Sequence, residues 1–260
     1  MDLGLQGCVA IVGGSSSGMG RACARALAAE GCNVTVFARR QELLDEAVAE
    51  VERLGSGAHG LAVAGDATDP EHLQAAVDRT LERFGRLDIV VNNAGGPPAG
   101  GFEDFDDEAW QAAWELTLMP ALRLTRIALP ALRRSGRGRI VNITSSAVKE
   151  PNDGLLLSNV YRPGVIGWAK TLSRDEAANG ITVNSIAPGY IDTERMQRLY
   201  ALGDDPAGAR QTDEAAIPAR RFGDPAEIGD AVAFLCSTRA SYINGITLLV
   251  DGGLARGLLS

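Results

Sequence analysis

Short, β-branched apolar runs alternate with longer stretches of helical hydrophobic period, and this alternation restricts the fold more than any other feature of the sequence. Predicted strands cover residues 8–13, 33–38, 60–64, 87–92, 139–144, 181–187 and 246–251. Strands that are apolar at nearly every position are typical of a parallel sheet covered on both faces. The sequence therefore predicts an α/β protein: a doubly wound Rossmann fold with a seven-stranded parallel sheet and helices on both faces.

The stretches between these runs have the period of helices and lack any Pro/Ser-rich linker. Predicted helices cover residues 19–30, 41–53, 71–84, about 107–134, 156–178 and 225–236. We therefore expect residues 1–260 to form a single nucleotide-binding domain. Residues 192–220, called here the lid segment, are irregular and rich in Gly, Asp and Arg. Because long connections inside a domain are usually functional, we predict that this segment is a substrate loop or lid.

The charge balance restricts the possible partners. Lys and Arg number 25 against 33 Asp and Glu, so the net charge is −8. An acidic chain argues against nucleic acid or an anionic membrane as the partner, which leaves a small-molecule substrate. No apolar run reaches the roughly 18 residues that a membrane-spanning helix needs. The first residues also lack the basic and apolar regions of a signal peptide, so we expect a cytoplasmic protein.

The residues that most often bind metals are few and scattered. The two histidines, His59 and His72, have no nearby ligand at a telling spacing, which argues against a zinc site or a Ser-His-Asp triad. No pair of cysteines forms a C-x-x-C motif. We therefore expect small buried apolar side chains rather than metal ligands or disulfides at Cys8, Cys23, Cys32 and Cys236.

Residues 13–20, G-G-S-S-S-G-M-G, lie between the first predicted strand and the first predicted helix. Glycines at this position allow a tight turn and a close approach of the backbone to a ligand. The N–H groups and the positive dipole end of the helix can then bind a diphosphate. A plain glycine-rich turn is the alternative, but the strand–loop–helix context favours a dinucleotide site.

The end of the second predicted strand indicates which dinucleotide binds. NAD-binding Rossmann units usually place an acidic residue there for the ribose 2′-hydroxyl. This chain has Ala38, Arg39 and Arg40 instead. Arg39 directly follows the strand and could pair with a 2′-phosphate, so we favour NADP(H), with NAD(H) as the alternative cofactor. The competing interpretation is that both arginines only begin a solvated helix.

Several motifs, in order along residues 6–254, resemble those of the short-chain dehydrogenase/reductase family, and in particular its 3-oxoacyl-carrier-protein-reductase-like members. The segment 13–20 resembles the family's T-G-x-x-x-G-x-G motif, with Gly13 in place of threonine. N-N-A-G (92–95), G-D-A-T-D (65–69), P-G-Y-I-D-T (188–193) and V-D-G-G (250–253) resemble further family motifs. Most members of this family transfer a hydride between NAD(P)(H) and an alcohol or carbonyl compound.

The resemblance implies a set of cofactor-binding positions and a homo-oligomer, either a tetramer or a dimer. It identifies no substrate. Besides Arg39, the implied cofactor-binding residues are Gly14, Ser16, Ser17, Gly18, Met19, Asp66, Ala67, Asn93, Ala94, Gly95, Arg162, Pro188, Gly189, Ile191 and Thr193.

The catalytic positions depart from the family pattern. The family uses a serine after the fifth strand, a Y-x-x-x-K pair on the next helix and an asparagine on the fourth helix. In this register the serine is Ser145, but Ser158 stands at the tyrosine position and Arg162 at the lysine position. Thr117 stands where asparagine is expected. One of the four family residues is therefore present.

The substitutions change the chemistry that the site can perform. A serine hydroxyl is a far weaker acid than a phenol, and Arg162 keeps a positive charge in a different geometry. Residues three and four apart share a helix face, so Ser158, Tyr161 and Arg162 form one patch. Tyr161 is therefore a candidate for a displaced phenol, with packing against the protein as its alternative. Lys149 is a second candidate proton donor, with a solvated loop lysine as the alternative.

Three functions fit this pattern. The first is an NADP-dependent oxidoreductase with a non-standard catalytic set at Ser145, Ser158, Tyr161 and Arg162. The second is a non-redox enzyme on the same scaffold, catalysing an elimination, decarboxylation or isomerisation. The third is a catalytically silent nucleotide-binding protein. We favour the first because the cofactor motifs are nearly complete.

Overall fold

A seven-stranded parallel sheet forms the centre of the chain. The computed structural model describes residues 1–55, 57–201 and 205–257. Within these ranges the strand order is β3-β2-β1-β4-β5-β6-β7, and every neighbouring pair is parallel. The strands are β1 (Val9–Gly13), β2 (Asn33–Ala38), β3 (Gly60–Ala64), β4 (Ile89–Asn92), β5 (Arg139–Ile143), β6 (Thr182–Pro188) and β7 (Thr247–Val250). The predicted fold class is confirmed.

Helices connect the strands and lie on both faces of the sheet. They are α1 (Gly18–Ala29), α2 (Gln41–Leu54), α3 (Pro70–Phe84), α4 (Asp107–Thr117), α5 (Met119–Ser135), α6 (Leu156–Asp175), α7 (Glu194–Tyr200), α8 (Pro206–Ala216) and α9 (Pro225–Cys236). Helices α1, α2 and α9 bury apolar side chains in one cluster against the sheet. Helices α3, α5 and α6 do so in a second cluster on the opposite face.

The strands divide their side chains between the two clusters with a period of two. In β1, Ala10 and Val12 belong to the first cluster, whereas Ile11 belongs to the second. In β5, Val141 belongs to the first cluster and Ile140 to the second. Successive side chains of a strand point to opposite faces, so a strand buried on both sides must be apolar throughout. This requirement explains why uninterrupted apolar runs predicted the strands well.

Side-chain caps and prolines fix several helix starts. The Asp69 carboxylate accepts a hydrogen bond from the backbone N–H of Glu71, with Pro70 as the first helical residue of α3. Asp224 caps α9 in the same manner, and the carboxylate of Glu227 accepts from the N–H of Asp224 to complete a capping box. These groups satisfy N–H donors that the helix itself leaves free, and they restrict the helix to one starting residue.

Two predicted segments differ from the structure. The single helix expected over about 107–134 is two helices, α4 and α5, that meet at Leu118. Pro120 lies in the first turn of α5, where its missing N–H is tolerated, and this favours a new helix start. The lid segment is also more regular than predicted, because it contains α7 and α8. Its residues 202–204 lie outside the described residues.

The cysteines have the predicted environment. All four are buried free thiols, and Cys8, Cys23, Cys32 and Cys236 all belong to the cluster beneath α1, α2 and α9. Within the described ranges, no helix combines the length and the apolar character needed to cross a membrane.

Ile140 on β5 tests the burial that the structure assigns to the central sheet. Its side chain is fully buried, and an alanine there should cost about 2–5 kcal/mol of unfolding free energy through lost apolar contact and a cavity. Leu54→Ala, at the half-exposed end of α2, is the control and should change stability by no more than about 0.5 kcal/mol. Urea unfolding of both variants measures the difference. Equal losses would contradict the assigned burial of β5.

Candidate active site

The predicted site residues gather at the carboxyl end of the parallel sheet. Strand β1 pairs with β2 on one side and with β4 on the other, and the chain leaves these strands in opposite directions. Ligands of open α/β sheets bind in the crevice at such a reversal, outside the carboxyl ends of the strands. The loops after β1, β4, β5 and β6 meet there, which places the glycine-rich loop and Ser145 on the same edge.

The glycine-rich loop has the geometry of an anion-binding turn. Helix α1 begins at Gly18, and in the described part of the chain its N-cap residue, Ser17, makes no side-chain capping hydrogen bond. The first N–H groups of the helix are therefore available to a ligand. Gly14 and Gly18 have φ values of +58° and +55°, a left-handed conformation that strongly favours glycine. A Cβ on Gly20 would overlap the carbonyl of Gly14, so this close packing also requires glycine.

Asn93 joins the loop after β4 to the loop after β1. Its Nδ2 donates a hydrogen bond of 3.1 Å to the carbonyl oxygen of Gly13. A Cβ on Gly13 would lie 2.8 Å from the carbonyl oxygen of Asn93, so the two loops approach closely at this glycine. Ser15, which the sequence prediction did not include, is buried and accepts a 2.9 Å hydrogen bond from the N–H of Phe37. It thereby fixes the end of β2 beside the loop.

Arg39 and Asp66 lie together at the outer end of the crevice. The Asp66 carboxylate accepts hydrogen bonds from the backbone N–H and the hydroxyl of Thr68, at 2.9 and 2.8 Å. These bonds, with a smaller contribution from the positive charge of Arg39, lower the pKa of Asp66. Arg39 is exposed, and the described residues give its guanidinium no hydrogen-bond or ion-pair partner. An unpaired cation beside this carboxylate suits a phosphate on the ribose.

Ser158 and Arg162 are in direct contact, one helical turn apart on α6. Arg162 Nε donates a 3.0 Å hydrogen bond to the Oγ of Ser158, which is buried. Arg162 Nη1 donates to the carbonyl oxygen of Thr144 at 2.8 Å and to that of Ile143 at 3.5 Å. Burial, with repulsion from the charge of Arg195, lowers the pKa of Arg162 to about 10. The guanidinium therefore stays positive at neutral pH, at the end of β5.

Ser145 lies two residues after the end of β5 and caps a short 3-10 turn over Ser146–Val148. Its Oγ accepts a 3.2 Å hydrogen bond from the N–H of Ala147. This contact uses the oxygen as an acceptor and leaves the hydroxyl hydrogen available to a substrate. Since Arg162 donates to the carbonyl of the preceding residue, Thr144, the structure brings Ser145, Ser158 and Arg162 to one place. Lys149 lies at the end of the same turn.

Tyr161 has its partners on a different element. Its hydroxyl donates a 3.0 Å hydrogen bond to the carbonyl oxygen of Trp110 on α4. The rings of Tyr161 and Trp110 make an edge contact, with centroids 6.0 Å apart and planes inclined by 69°. These contacts direct the phenol toward α4, and they favour the packing interpretation over a displaced phenol at the site.

Thr117 faces a small cavity inside the site. The cavity has a volume of about 30 Å³, enough for a water-sized molecule. The Oγ1 of Thr117 and the Oδ1 of Asn92 are buried and have no hydrogen-bond partner among the described residues. The cavity brings together several predicted cofactor residues, since its wall includes Ala67, Asn93, Ala94, Gly95 and Arg162. Other predicted residues, Ser16 and Met19 among them, lie in the glycine loop and first turn of α1.

The residues after β6 position the start of the lid segment. The N–H of Gly189 donates to Val250 at 3.0 Å, so Pro188 and Gly189 lie against β7, and Ile191 is buried. Thr193 caps α7 by accepting from the N–H of Met196. A Cβ on Gly18 would lie 3.3 Å from the Cγ2 of Thr193. The lid segment therefore begins in contact with the glycine-rich loop.

Arg195, two residues after Thr193, was not predicted from the sequence. It reaches the loop after β4 and contacts the backbone carbonyls of Gly96 and Pro97. No motif marks it, because only the tertiary structure brings α7 to that loop. In the part of the chain that the structure describes, no group of three or more His, Cys, Asp or Glu residues is arranged to hold a metal ion.

Comparison with known proteins covers nearly the whole chain. Residues 14–255 match the family model described as Enoyl-(Acyl carrier protein) reductase. The chain is 37% identical to the 3-oxoacyl-[acyl-carrier-protein] reductases of Vibrio cholerae and Escherichia coli, over 97% of this chain and 99% of each relative. A solved structure of L-sorbose reductase from Gluconobacter frateurii, complexed with NADPH and L-sorbose, is 36% identical with a TM-score of 0.94. That likeness covers 99% of this chain and 100% of the other.

Gly20 tests whether the loop after β1 binds a dinucleotide. Because a Cβ at this position would also lie 2.7 Å from Asn93 Nδ2, Gly20→Ala must displace the loop. We expect dinucleotide affinity to fall about tenfold or more, given the usual cost of overpacking. Gly167→Ala, where a Cβ meets no other atom within 4 Å, is the matched control and should bind normally. Fluorescence titration with NADPH measures both, and unchanged affinity in a folded Gly20→Ala protein would contradict the assignment.

Proposed function

We propose that this chain, which belongs to the short-chain dehydrogenase/reductase family, is an NADP(H)-dependent oxidoreductase acting on a small carbonyl or alcohol compound with a non-standard catalytic set. The observation that supports this most directly is the arrangement around Arg162. Its guanidinium is held by Ser158 and by the carbonyl of Thr144, next to Ser145 and at the crevice that the glycine-rich loop borders. A fixed positive charge beside a serine hydroxyl can bind a carbonyl oxygen as negative charge develops on it.

The residues of the crevice fit a phosphorylated dinucleotide. The uncapped N-terminus of α1 suits the diphosphate, and the exposed Arg39 beside Asp66 suits a 2′-phosphate. The similar L-sorbose reductase was solved with NADPH, which supports the same cofactor here. When bound, NADPH would supply the hydride, and the residues of this chain would supply binding, orientation and charge.

The role of each site residue follows from its contacts. Ser145 would donate its hydroxyl hydrogen to the substrate oxygen, because its Oγ already accepts from Ala147. Arg162 would stabilise the negative charge on that oxygen. Ser158 accepts from Arg162 Nε and orients the guanidinium, so we assign it a positioning role. Tyr161 would have no role in catalysis, because its hydroxyl donates to the carbonyl oxygen of Trp110.

This catalytic set favours carbonyl compounds that need little acid assistance. General acid–base catalysis usually contributes about 10²–10⁴ in rate, and a serine in place of the tyrosine loses most of it. Activated carbonyls such as diketones and oxo esters should therefore be reduced faster than simple ketones. The test is the oxidation of NADPH in the presence of each compound, followed by the loss of its absorbance. Product formed without cofactor oxidation would indicate a non-redox enzyme. Cofactor binding without any turnover would indicate a catalytically silent protein.

Arg39 provides a test of cofactor choice. Arg39→Ala should weaken NADPH binding by about 10–100-fold, because a charge-assisted phosphate contact contributes roughly 1.5–3 kcal/mol. Binding of NADH should change little, since it lacks the 2′-phosphate. Arg40→Ala, the neighbouring exposed arginine at the start of α2, is the control. If Arg39→Ala weakens NADPH and NADH equally, the proposed phosphate contact is wrong.

Restoring the family pair tests the catalytic register. The double substitution Ser158→Tyr with Arg162→Lys places a phenol and an ammonium on the site face of α6. Reduction of simple ketones should rise by about 10² or more, within the usual range for general acid catalysis. Val160→Tyr adds a phenol at an exposed position on the same helix and should give no gain. A stable double variant that binds NADPH and shows no increase in kcat would count against the register.

A further inference from the structure

Arg195 extends from the lid segment across the crevice to the loop after β4. Its Nη1 donates to the carbonyl oxygen of Gly96 at 3.2 Å, and its Nη2 donates to that of Pro97 at 3.4 Å. A Cβ on Gly96 would lie 3.0–3.3 Å from the guanidinium atoms, so the guanidinium lies closely against this glycine. These two bonds use two of the five N–H groups of an arginine. The described residues provide no partner for the others.

The charge of Arg195 is uncompensated among the described residues, unlike the charges of Arg198 and Arg210 in the same lid segment. Arg198 pairs with Glu194 at 3.7 Å, and Arg210 pairs with Asp192 at 2.8 Å. Across residues 1–55, 57–201 and 205–257, Arg195 forms no ion pair, and the charge that acts on it most is the like charge of Arg198. In a chain with a net charge of −8, a cation left without a carboxylate at a ligand crevice attracts anions.

Arg162 is the second uncompensated cation at the same place. It too forms no ion pair among the described residues, and the charge of Arg195 acts on it. Two guanidinium groups that repel each other lie near the ends of β4 and β5. A negative group placed between or beside them would relieve this repulsion, and the loss of water around both groups would strengthen the attraction.

We propose that Arg195 is a specificity-determining residue that binds an anionic group of the substrate, so that the substrate is a carbonyl or alcohol compound carrying a carboxylate. The planar guanidinium presents paired N–H donors that match the two oxygens of a carboxylate. Arg162 adds positive charge to the same space while it stabilises the reacting oxygen. This inference rests on the proposed function, because it assigns the substrate class of that site.

The position of Arg195 favours the substrate over the cofactor as the source of the anion. The diphosphate is expected at the N-terminus of α1. There, Thr193 of the lid segment lies close to Gly18. Arg195 extends instead to Gly96, one residue beyond Gly95 on the wall of the cavity that Arg162 also lines. The anion that it would bind therefore lies on the side of Ser145 and Arg162.

The experiment compares acids with their neutral esters. The full chain, saturated with NADPH, is titrated with pyruvate, 2-oxobutyrate and acetoacetate and with the methyl ester of each. Binding is followed by the fluorescence of the bound NADPH and by calorimetry, and KM and kcat are measured wherever turnover occurs. The variants are Arg195→Gln, Arg195→Lys and the matched control Arg198→Gln, which removes an exposed charge from the same helix.

The expected result is a preference for acids that depends on Arg195. At least one acid should bind about tenfold or more tightly than its ester. Arg195→Gln should weaken binding of that acid by about 30-fold, because the bound substrate would cover this exposed guanidinium and truncating one partner of such a charge pair has an effect of that order. It should change ester binding and NADPH binding by less than about threefold. Arg195→Lys should recover part of the preference, and Arg198→Gln should keep all of it.

Three results would overturn the proposal. Equal binding of every acid and its ester would show that no anion site exists. Equal losses for acid and ester in Arg195→Gln would show that Arg195 only holds the lid segment to Gly96. A selective loss of NADPH affinity would assign the anion to the cofactor. If the chain does not bind NADPH at all, the proposed function fails separately, and the acid–ester comparison is then made on the cofactor-free protein.

Discussion

The contact between Asn93 and Gly13 joins the two halves of the sheet at the point where the ligand crevice forms. Its hydrogen bond of 3.1 Å connects the loop after β4 to the end of β1, and the backbones approach so closely that a side chain on Gly13 or Gly14 would collide with Asn93. The position of the glycine-rich loop, the direction of α1 and the wall formed by Ala94 and Gly95 all depend on this approach. The reversal of strand order creates the crevice, and this contact fixes its width.

The partly buried guanidinium of Arg162 is the second constraint on the site. Burial of a cation is costly unless its donors are satisfied, and here Ser158, Thr144 and Ile143 accept from it. The serine and the arginine therefore act as a pair: the short side chain at position 158 provides an acceptor, and the fork of Arg162 connects α6 to β5. The result keeps a positive charge at the family's lysine position and removes the phenol. In the mechanism that we propose, charge stabilisation by Arg162 takes the place of acid catalysis by a phenol.

The strands were well predicted because a sheet buried on both faces requires apolar residues without interruption. β2 and β3 were predicted to the residue, and the other strands to within two residues. Helix starts were predictable where Asp and Pro occur together, as at Asp224 and Pro225. The break at Leu118 and the two helices of the lid segment were missed. Thr193 and Asp205 could have signalled α7 and α8, because each caps its helix.

The candidate site was predictable only where the signal is local. Backbone conformation needs glycine at Gly14 and Gly18, and a cation follows β2, so these positions could be proposed for cofactor binding from the local sequence. The direction of a side chain on a helix is set by its neighbours in space. Helical spacing placed Tyr161 on one face with Ser158 and Arg162, but the carbonyl and ring of Trp110 turn its phenol toward α4.

The sequence by itself therefore determined the α/β fold, the glycine-rich loop and the S-x-x-x-R spacing of Ser158 and Arg162, because these depend on residue type at fixed spacing. Only the tertiary structure decided which groups meet. It holds Arg162 against Ser158 and the end of β5, and it brings Arg195 from the lid segment to Gly96, 99 residues earlier in the chain. Such contacts join distant segments and have no local pattern, so packing of the whole chain is what creates them.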